Sequence, residues 1–168
     1  MTIKTKPIDS LHTLGVKFLA GQRDGQLESI TSPEELLCAL ASSDEARIRL
    51  ALIPLLLRYP GYAKYVQEAL KRLSSPQQCF LRCYYTAAQL LQQKYQSQLN
   101  ELFGKKSSLP ALFEHNLDLD MSTPPDMCLQ QLGKKQAQLS GKTINWYGTY
   151  EHAYMRLVRH TRRRRQWQ

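Results

Sequence analysis

The stretch SDEARIRLALIPLLLRYPGYAKYVQEALKRL, residues 43–73, decides the fold class of this chain. Its first half carries Ile48, Ala51, Leu52, Leu55 and Leu56 at steps of three and four, the spacing of one helix face. Asp44 and Glu45 sit at the start, where negative charge favours a helix N-terminus. Pro54 removes one backbone donor and predicts a kink around Leu50–Ile53. Tyr59-Pro60-Gly61 then breaks the chain, and Tyr62, Val66, Ala69, Leu70 and Leu73 form the stripe of a second helix. Two such helices cannot bury their apolar stripes on each other alone. They need further helices of the same kind, or a partner.

The same pattern extends in both directions. Upstream, Ser32-Pro33-Glu34-Glu35 is a helix start: Ser32 can cap, Pro33 has the preset φ of a first helical position, and Glu35 can reach back to the cap N–H. A first helix is expected over Ile8–Ala20, with Leu11, Leu14, Phe18 and Leu19 near one face and Gly15 weakening it. Downstream, Ser75-Pro76-Gln77-Gln78 repeats the capping pattern. From there Leu81, Tyr84, Ala88, Leu91, Tyr95, Gln98 and Leu102 make a heptad-like seam with one polar interruption at Gln98. A continuous helix from Pro76 to Phe103 would reach about 40 Å and form a central spine. Gly104–Ser108 ends it, Leu109–Leu117 is a short helix or turn packing Leu112 and Phe113, and Asp118–Asp126 is a loop. Met127–Leu139 and Asn145–Arg165 are the last two helices, the latter facing Trp146, Tyr150, Ala153 and Leu157 inward. Strand signals are nearly absent. The expected fold is all-α: HEAT-like helix pairs or an irregular helical bundle around a long central helix, with residues 1–158 as one domain and residues 159–168 as a basic tail.

A chain of 168 residues is long enough to bury roughly two thirds of its unfolded surface in one core. The longest apolar run, Leu50–Leu57, falls far short of a membrane span and contains Pro54. The first residues lack the continuous apolar segment of a secretory signal, so a cytoplasmic location is the expectation. Cys79 and Cys83 stand at i and i+4, but zinc needs two more ligands and none neighbours them, so Cys38, Cys79, Cys83 and Cys128 are read as reduced, buried thiols. No metal or cofactor is expected.

The formal net charge is +9, and Arg156, Arg159, Arg162, Arg163, Arg164 and Arg165 supply six of those charges within the last thirteen residues. Clustered guanidinium groups neutralise phosphates, and Trp167 beside them can stack on a base, so this end is the candidate nucleic-acid or anion site. The opposing reading is a solvated tail, or arginines suited to a helix C-terminus. Like charges three and four apart repel, so this end is expected to fray unless an anion binds. No helix-turn-helix, zinc finger or RNA-recognition signature accompanies it.

Other constellations are weaker. His152 follows Glu151, but a metalloprotease motif needs a second His where Arg156 stands. His12, His115 and His160 have no partners in sequence for base catalysis. Asp118, Asp120 and Asp126 flank two prolines without the glycine and glutamate of a calcium loop, and read as a solvated turn. Tyr59, Tyr62 and Tyr65 are the candidate partner-binding residues, with Tyr84, Tyr85 and Tyr95 nearby. Tyrosine suits a groove edge with one apolar side and one wet end, and equally an ordinary half-buried core position.

Asp44, Arg47-Ile48-Arg49-Leu50-Ala51 resembles the acidic–Arg–Ala pattern of HEAT-type repeats. SPQQCFLRCYYTAAQLL, residues 75–91, is similar, with Arg82 standing 33 residues after Arg49, against about 40 in a HEAT period. The order Arg47, Ala51–Leu57, Pro60, then Leu81-Arg82, Tyr84–Ala88, Leu109-Pro110, Leu112-Phe113, Asn145-Trp146 and Tyr150-Glu151 resembles a group of small bacterial helical proteins. That group is often encoded beside nucleotidyltransferase-like proteins of the abortive-infection toxin type. The resemblance spans roughly residues 35–158, and the arginine tail departs from it. It implies a non-enzymatic protein-binding adaptor or antitoxin-like partner, with a nucleotidyltransferase-type protein as its partner. The alternative is a protein that binds RNA or DNA through the arginine cluster.

Overall fold

Prolines mark four of the helix starts among the described residues. The computed structural model describes residues 32–167, and the helix expected over Ile8–Ala20 and His12 lie outside the described residues. Helix α1 spans Pro33–Ala41, α2 Ala46–Leu50, α3 Leu52–Arg58, a 3-10 helix Pro60–Tyr65, and α4 Val66–Lys71. Then come α5 (Ser75–Lys94), α6 (Gln96–Phe103), α7 (Pro125–Ser140) and α8 (Trp146–Gln166). The fold is all-helical, with no strand among the described residues. Pro33, Pro60, Pro76 and Pro125 each occupy a first-turn position, where a missing N–H costs nothing. At α5 the cap is Ser74, one residue earlier than the sequence pattern suggests, and the Gln77 side chain accepts from the Ser74 N–H at 3.0 Å. Ser32 makes no side-chain cap bond, so Pro33 carries that helix start.

The proline kink falls where expected. Helices α2 and α3 meet at Ala51, because Pro54 has no N–H to offer the Leu50 carbonyl. All six residues from Leu52 to Leu57, Pro54 included, are buried. Helix α3 is apolar all round because neighbours cover it on every side. It packs on α5 and α8 and touches the 3-10 helix.

The spine is shorter than the seam predicts. The heptad pattern continues through Tyr95, but the backbone there leaves helical values (φ −114°, ψ 26°), and α5 ends at Lys94. Three tertiary contacts hold the break. The Tyr95 ring stacks on Tyr154 at 4.0 Å and an interplanar angle of 6°, and its hydroxyl donates to Glu151 at 2.5 Å. Gln98, the polar interruption of the seam, accepts from the Tyr154 hydroxyl. Helix α5 is still central, packing on α1, α3, α4, α7 and α8. The longest element among the described residues is α8, with 21 residues against 20 in α5.

Tyr84 and Tyr85 are core residues. Tyr85 donates to the Pro110 carbonyl at 2.6 Å and meets Phe113 edge-on at 5.5 Å, which ties the irregular 104–124 segment to α5. Leu109, Phe113 and Leu117 are the buried anchors of that segment, while Leu112 is only half-buried. Gly133 lets α7 approach the start of α8: a Cβ there would stand 3.1 Å from the Tyr147 nitrogen. No helix among the described residues is long and apolar enough to cross a membrane.

Candidate functional site

Tyr59, Tyr62 and Tyr65 recur at every third residue, and the backbone between them is a 3-10 helix rather than the expected α-helix. A 3-10 helix has about three residues per turn, so side chains three apart eclipse. The tyrosines therefore form one row, with ring centroids 6.0 Å and 6.4 Å apart and interplanar angles of 39° and 77°. Their row lines a cavity of about 370 Å³, together with Arg58, Lys64 and Lys106. Lys64 lies 5.3 Å from the Tyr65 ring centre, over its face.

Arg58, the last residue of α3, joins this cavity to a second one. Its guanidinium lies over two rings, 5.0 Å from the centre of Tyr59 and 4.7 Å from that of Phe103. Beyond Phe103 is a cleft of about 240 Å³ lined by Arg58, His160, Thr161, Arg164 and Arg165 with Leu157 at its base. Arg165 donates to the Leu102 carbonyl, and to the Glu101 carbonyl at 3.3 Å. These are the open carbonyls at the C-terminal end of α6, where a cation is favoured. The two cavities share Arg58, and among the described residues those lining them include five arginines and lysines and no acidic side chain. Comparison of the chain with family models, with curated proteins and with solved structures gives no match. The chemistry of the face is thus the basis for any functional reading.

The structure brings the tyrosines and part of the arginine cluster together, which their separation in sequence did not foretell. It also divides that cluster. Arg164 and Arg165 lie on the α8 side that carries Leu157 and Thr161, whereas Arg159, Arg162 and Arg163 fall on the opposite side and are exposed. Arg156 is half-buried one turn before Arg159, and Trp167 is 89% exposed just past the helix end. Helix α8 continues to Gln166, through the arginine cluster. Arg159, Arg162 and Arg163 are exposed, and Arg165 anchors the last turn to α6. Deleting residues 159–168 is therefore expected to cost stability, about 1 kcal/mol or more from the lost charged hydrogen bonds, as well as charge. A urea titration of the truncated protein checks this.

A second cluster of ionisable groups joins α5, α7 and α8. Lys94 donates to Asp126 at 2.5 Å, to Glu151, and to the Tyr147 hydroxyl at 3.3 Å. Tyr147 in turn donates to Asp126 at 2.5 Å. Asp126 is thus not part of a solvated acidic loop: it sits in the first turn of α7 and faces a cation. Burial alone would lower the Lys94 pKa, but the hydrogen bonds to Asp126, Glu151 and the two tyrosines outweigh it and raise the ammonium well above its ordinary range. An amine held protonated in this way is neither a base nor a nucleophile at neutral pH. The cluster works as a pin between three helices.

The remaining candidates stay apart. Among the described residues no three His, Cys, Asp or Glu side chains come together around a common point. Asp120 accepts from its own loop, from the Ser122 N–H at 3.0 Å and the Ser122 hydroxyl at 2.5 Å. The Cys79 and Cys83 sulfurs lie 4.0 Å apart. The hydrogen bond from Cys83 pulls the Cys79 thiol down to about 7, while the same bond, with burial adding to it, pushes Cys83 up. Arg58 and Phe103, the hinge of the face, carry no sequence signal of their own.

Proposed function

We propose that this protein is a non-enzymatic binding protein for nucleic acid, held mainly through phosphate contacts on the face that joins the tyrosine row to the end of α8. The observation that carries this reading is the pair of adjoining cavities that share Arg58 and are lined by Arg58, Lys64, Lys106, Arg164 and Arg165. Guanidinium and ammonium groups so arranged exchange condensed counterions for phosphates, a driving force that needs no base-specific contact. Arg58, flanked by two rings, and Arg165, bound to backbone carbonyls, are oriented before any ligand arrives. Little side-chain entropy is then lost on binding.

The test is a titration of a labelled oligonucleotide at several salt concentrations. Neutralising five phosphates predicts a loss of about 100-fold in affinity between about 50 and 200 mM salt. Replacing Lys106 and Arg164 with glutamine is expected to weaken binding about 10-fold and to flatten the salt dependence. An affinity that ignores salt, or that ignores these two substitutions, overturns the reading.

An adaptor role toward a partner protein, including one of nucleotidyltransferase type, is the second reading. It is favoured by a groove of about 390 Å³ between α7 and the loop before α8, lined by Gly133, Ala137, Ile144, Trp146 and Tyr147. Ile144 is 52% exposed there. A partner captured from native cells, and lost on substitution of Ile144 by aspartate but not of Arg164 by glutamine, supports this second role.

A further inference from the structure

We propose that Cys79 is a modification site, a thiol that exchanges with low-molecular-weight disulfides to carry a mixed disulfide, and that Cys83 beneath it is the hydrogen-bond donor that activates it. The site is independent of the nucleic-acid reading above.

The two sulfurs stand one turn apart on the same side of α5, with 4.0 Å between them. Two thiolates that close would repel, so no more than one of the pair ionises. Burial decides which. Cys83 has no exposed surface, and a charge there would have no water around it. Cys79 is only half-buried and keeps contact with solvent. The Cys83 S–H is therefore the donor, and Cys79 is the sulfur that holds negative charge. That bond is the largest influence on the Cys79 thiol and lowers it; burial opposes the bond, and the Arg82 charge adds to it.

The other two thiols lack this arrangement. Cys38 is half-buried as well, but its sulfur donates to the Ala69 carbonyl at 3.5 Å. Burial pushes that thiol up, and the Arg72 charge offsets only part of the rise. Cys128 is 1% exposed and donates to the Asp120 carbonyl at 3.1 Å. A sulfur that donates keeps its proton, and the thiol form is not the nucleophile.

In the exchange, the Cys79 thiolate attacks one sulfur of a disulfide R–S–S–R. A bond forms from Cys79 to that sulfur, the original S–S bond breaks, and the departing thiolate takes a proton from solvent. Cys79 is oxidised and the departing half is reduced, so no further oxidant enters. Closure onto Cys83 is opposed by the helix itself. Residues four apart on a helix hold their Cβ atoms about 5–6 Å apart, whereas a disulfide needs about 3.5–4.5 Å. Cys83 can donate across that gap without moving, but bonding across it would distort the turn. The start of α5 is also held in place, by the Gln78 side chain donating to the Leu70 and Leu73 carbonyls at 2.8 and 3.2 Å.

The experiment incubates the full chain with glutathione disulfide near neutral pH, blocks the remaining thiols, and maps adducts by peptide mass spectrometry over time. The adduct is expected on Cys79 about 10-fold faster than on Cys38, because the gain in thiolate outweighs the accompanying loss of nucleophilicity. In urea, where the Cys83 bond is gone, that preference is expected to vanish. Cys83→Ala is expected to slow the reaction at Cys79 about 5-fold, and Cys83→Ser, which keeps a donor, to hold it within about 2-fold. Circular dichroism checks that both variants fold. Equal rates at Cys79 and Cys38 in the folded chain overturn the proposal, and so does a preference that survives in urea. A product that has lost two hydrogens and carries no glutathione is a Cys79–Cys83 disulfide, and it overturns the role given to Cys83. The comparison of Cys79 with Cys38 is made in the unaltered chain and decides the matter even where a variant does not fold.

Discussion

Replacing Lys94 with methionine is expected to lower the unfolding free energy by about 2–3 kcal/mol, measured by urea titration at neutral pH. Removing one partner of a buried ion pair costs about 3–5 kcal/mol. Lys94 is 24% exposed, Glu151 18% and Asp126 41%, so solvent offsets part of that loss. Methionine keeps the stem length and apolar packing, which isolates the charge. What remains is a pair of carboxylates facing each other with their cation gone.

The pH dependence carries the sign. Lys94 is raised in the folded protein, so its contribution is fully present below its ordinary value of 10.5 and is lost only as pH rises beyond that through the folded value. Asp126 is lowered, first by its hydrogen bond from Lys94, so its contribution is present above 3.8 and is lost as pH falls below that. The gap between wild type and the methionine variant should therefore be flat from about pH 5 to about pH 9 and close under acid. In the variant, protonation relieves the carboxylate repulsion, which closes the gap further. A gap that persists unchanged at about pH 2 would rule out the ion-pair account.

Leu55→Ala is expected to cost about 3–5 kcal/mol, the upper part of the range for a leucine truncated in a core that cannot collapse around the void. Leu55 is fully buried at the middle of α3, where α5 and α8 close on it. The helices α5 and α8 that pack on α3 are pinned to each other through Lys94, which limits their movement into the space. Leu139→Ala is the control: that side chain is 51% exposed, and its truncation should stay within about 0.5 kcal/mol. Comparable losses at the two positions, by thermal or urea unfolding, would contradict the placement of α3 at the centre.

Much of the helix layout can be read from the chain because its signals are local. Pro54 and the Leu50–Ile53 kink, the Ser-Pro starts at Pro33 and Pro76, and Gly141, left-handed at φ 69° after α7, act within one turn of themselves. The end of α5 could not be read in this way. Tyr95 and Gln96 contain no helix breaker and keep the heptad intact, and the break is held by Tyr154 and Glu151 from another helix. The 3-10 winding after Pro60 was hidden for a related reason: over six residues, apolar spacing does not separate three from 3.6 residues per turn. Of the candidate site, the tyrosines and the arginines were each visible as clusters. Their meeting was not, since the residues that join them, Arg58 and Phe103, are single residues without a pattern. The Lys94 pin was equally hidden, because its partners lie 32 and 57 residues away.

From its sequence alone this protein is committed to helices, to where most of them start, and to a strongly basic C-terminal end. Those properties depend on capping groups, proline geometry and side-chain charge, each of which acts within a few residues. Only the tertiary structure decided which arginines join the tyrosines and which turn away, where α5 stops, and which cation is held between two carboxylates. Those outcomes depend on which helix faces meet across the core, and contacts between distant residues leave no trace in local spacing.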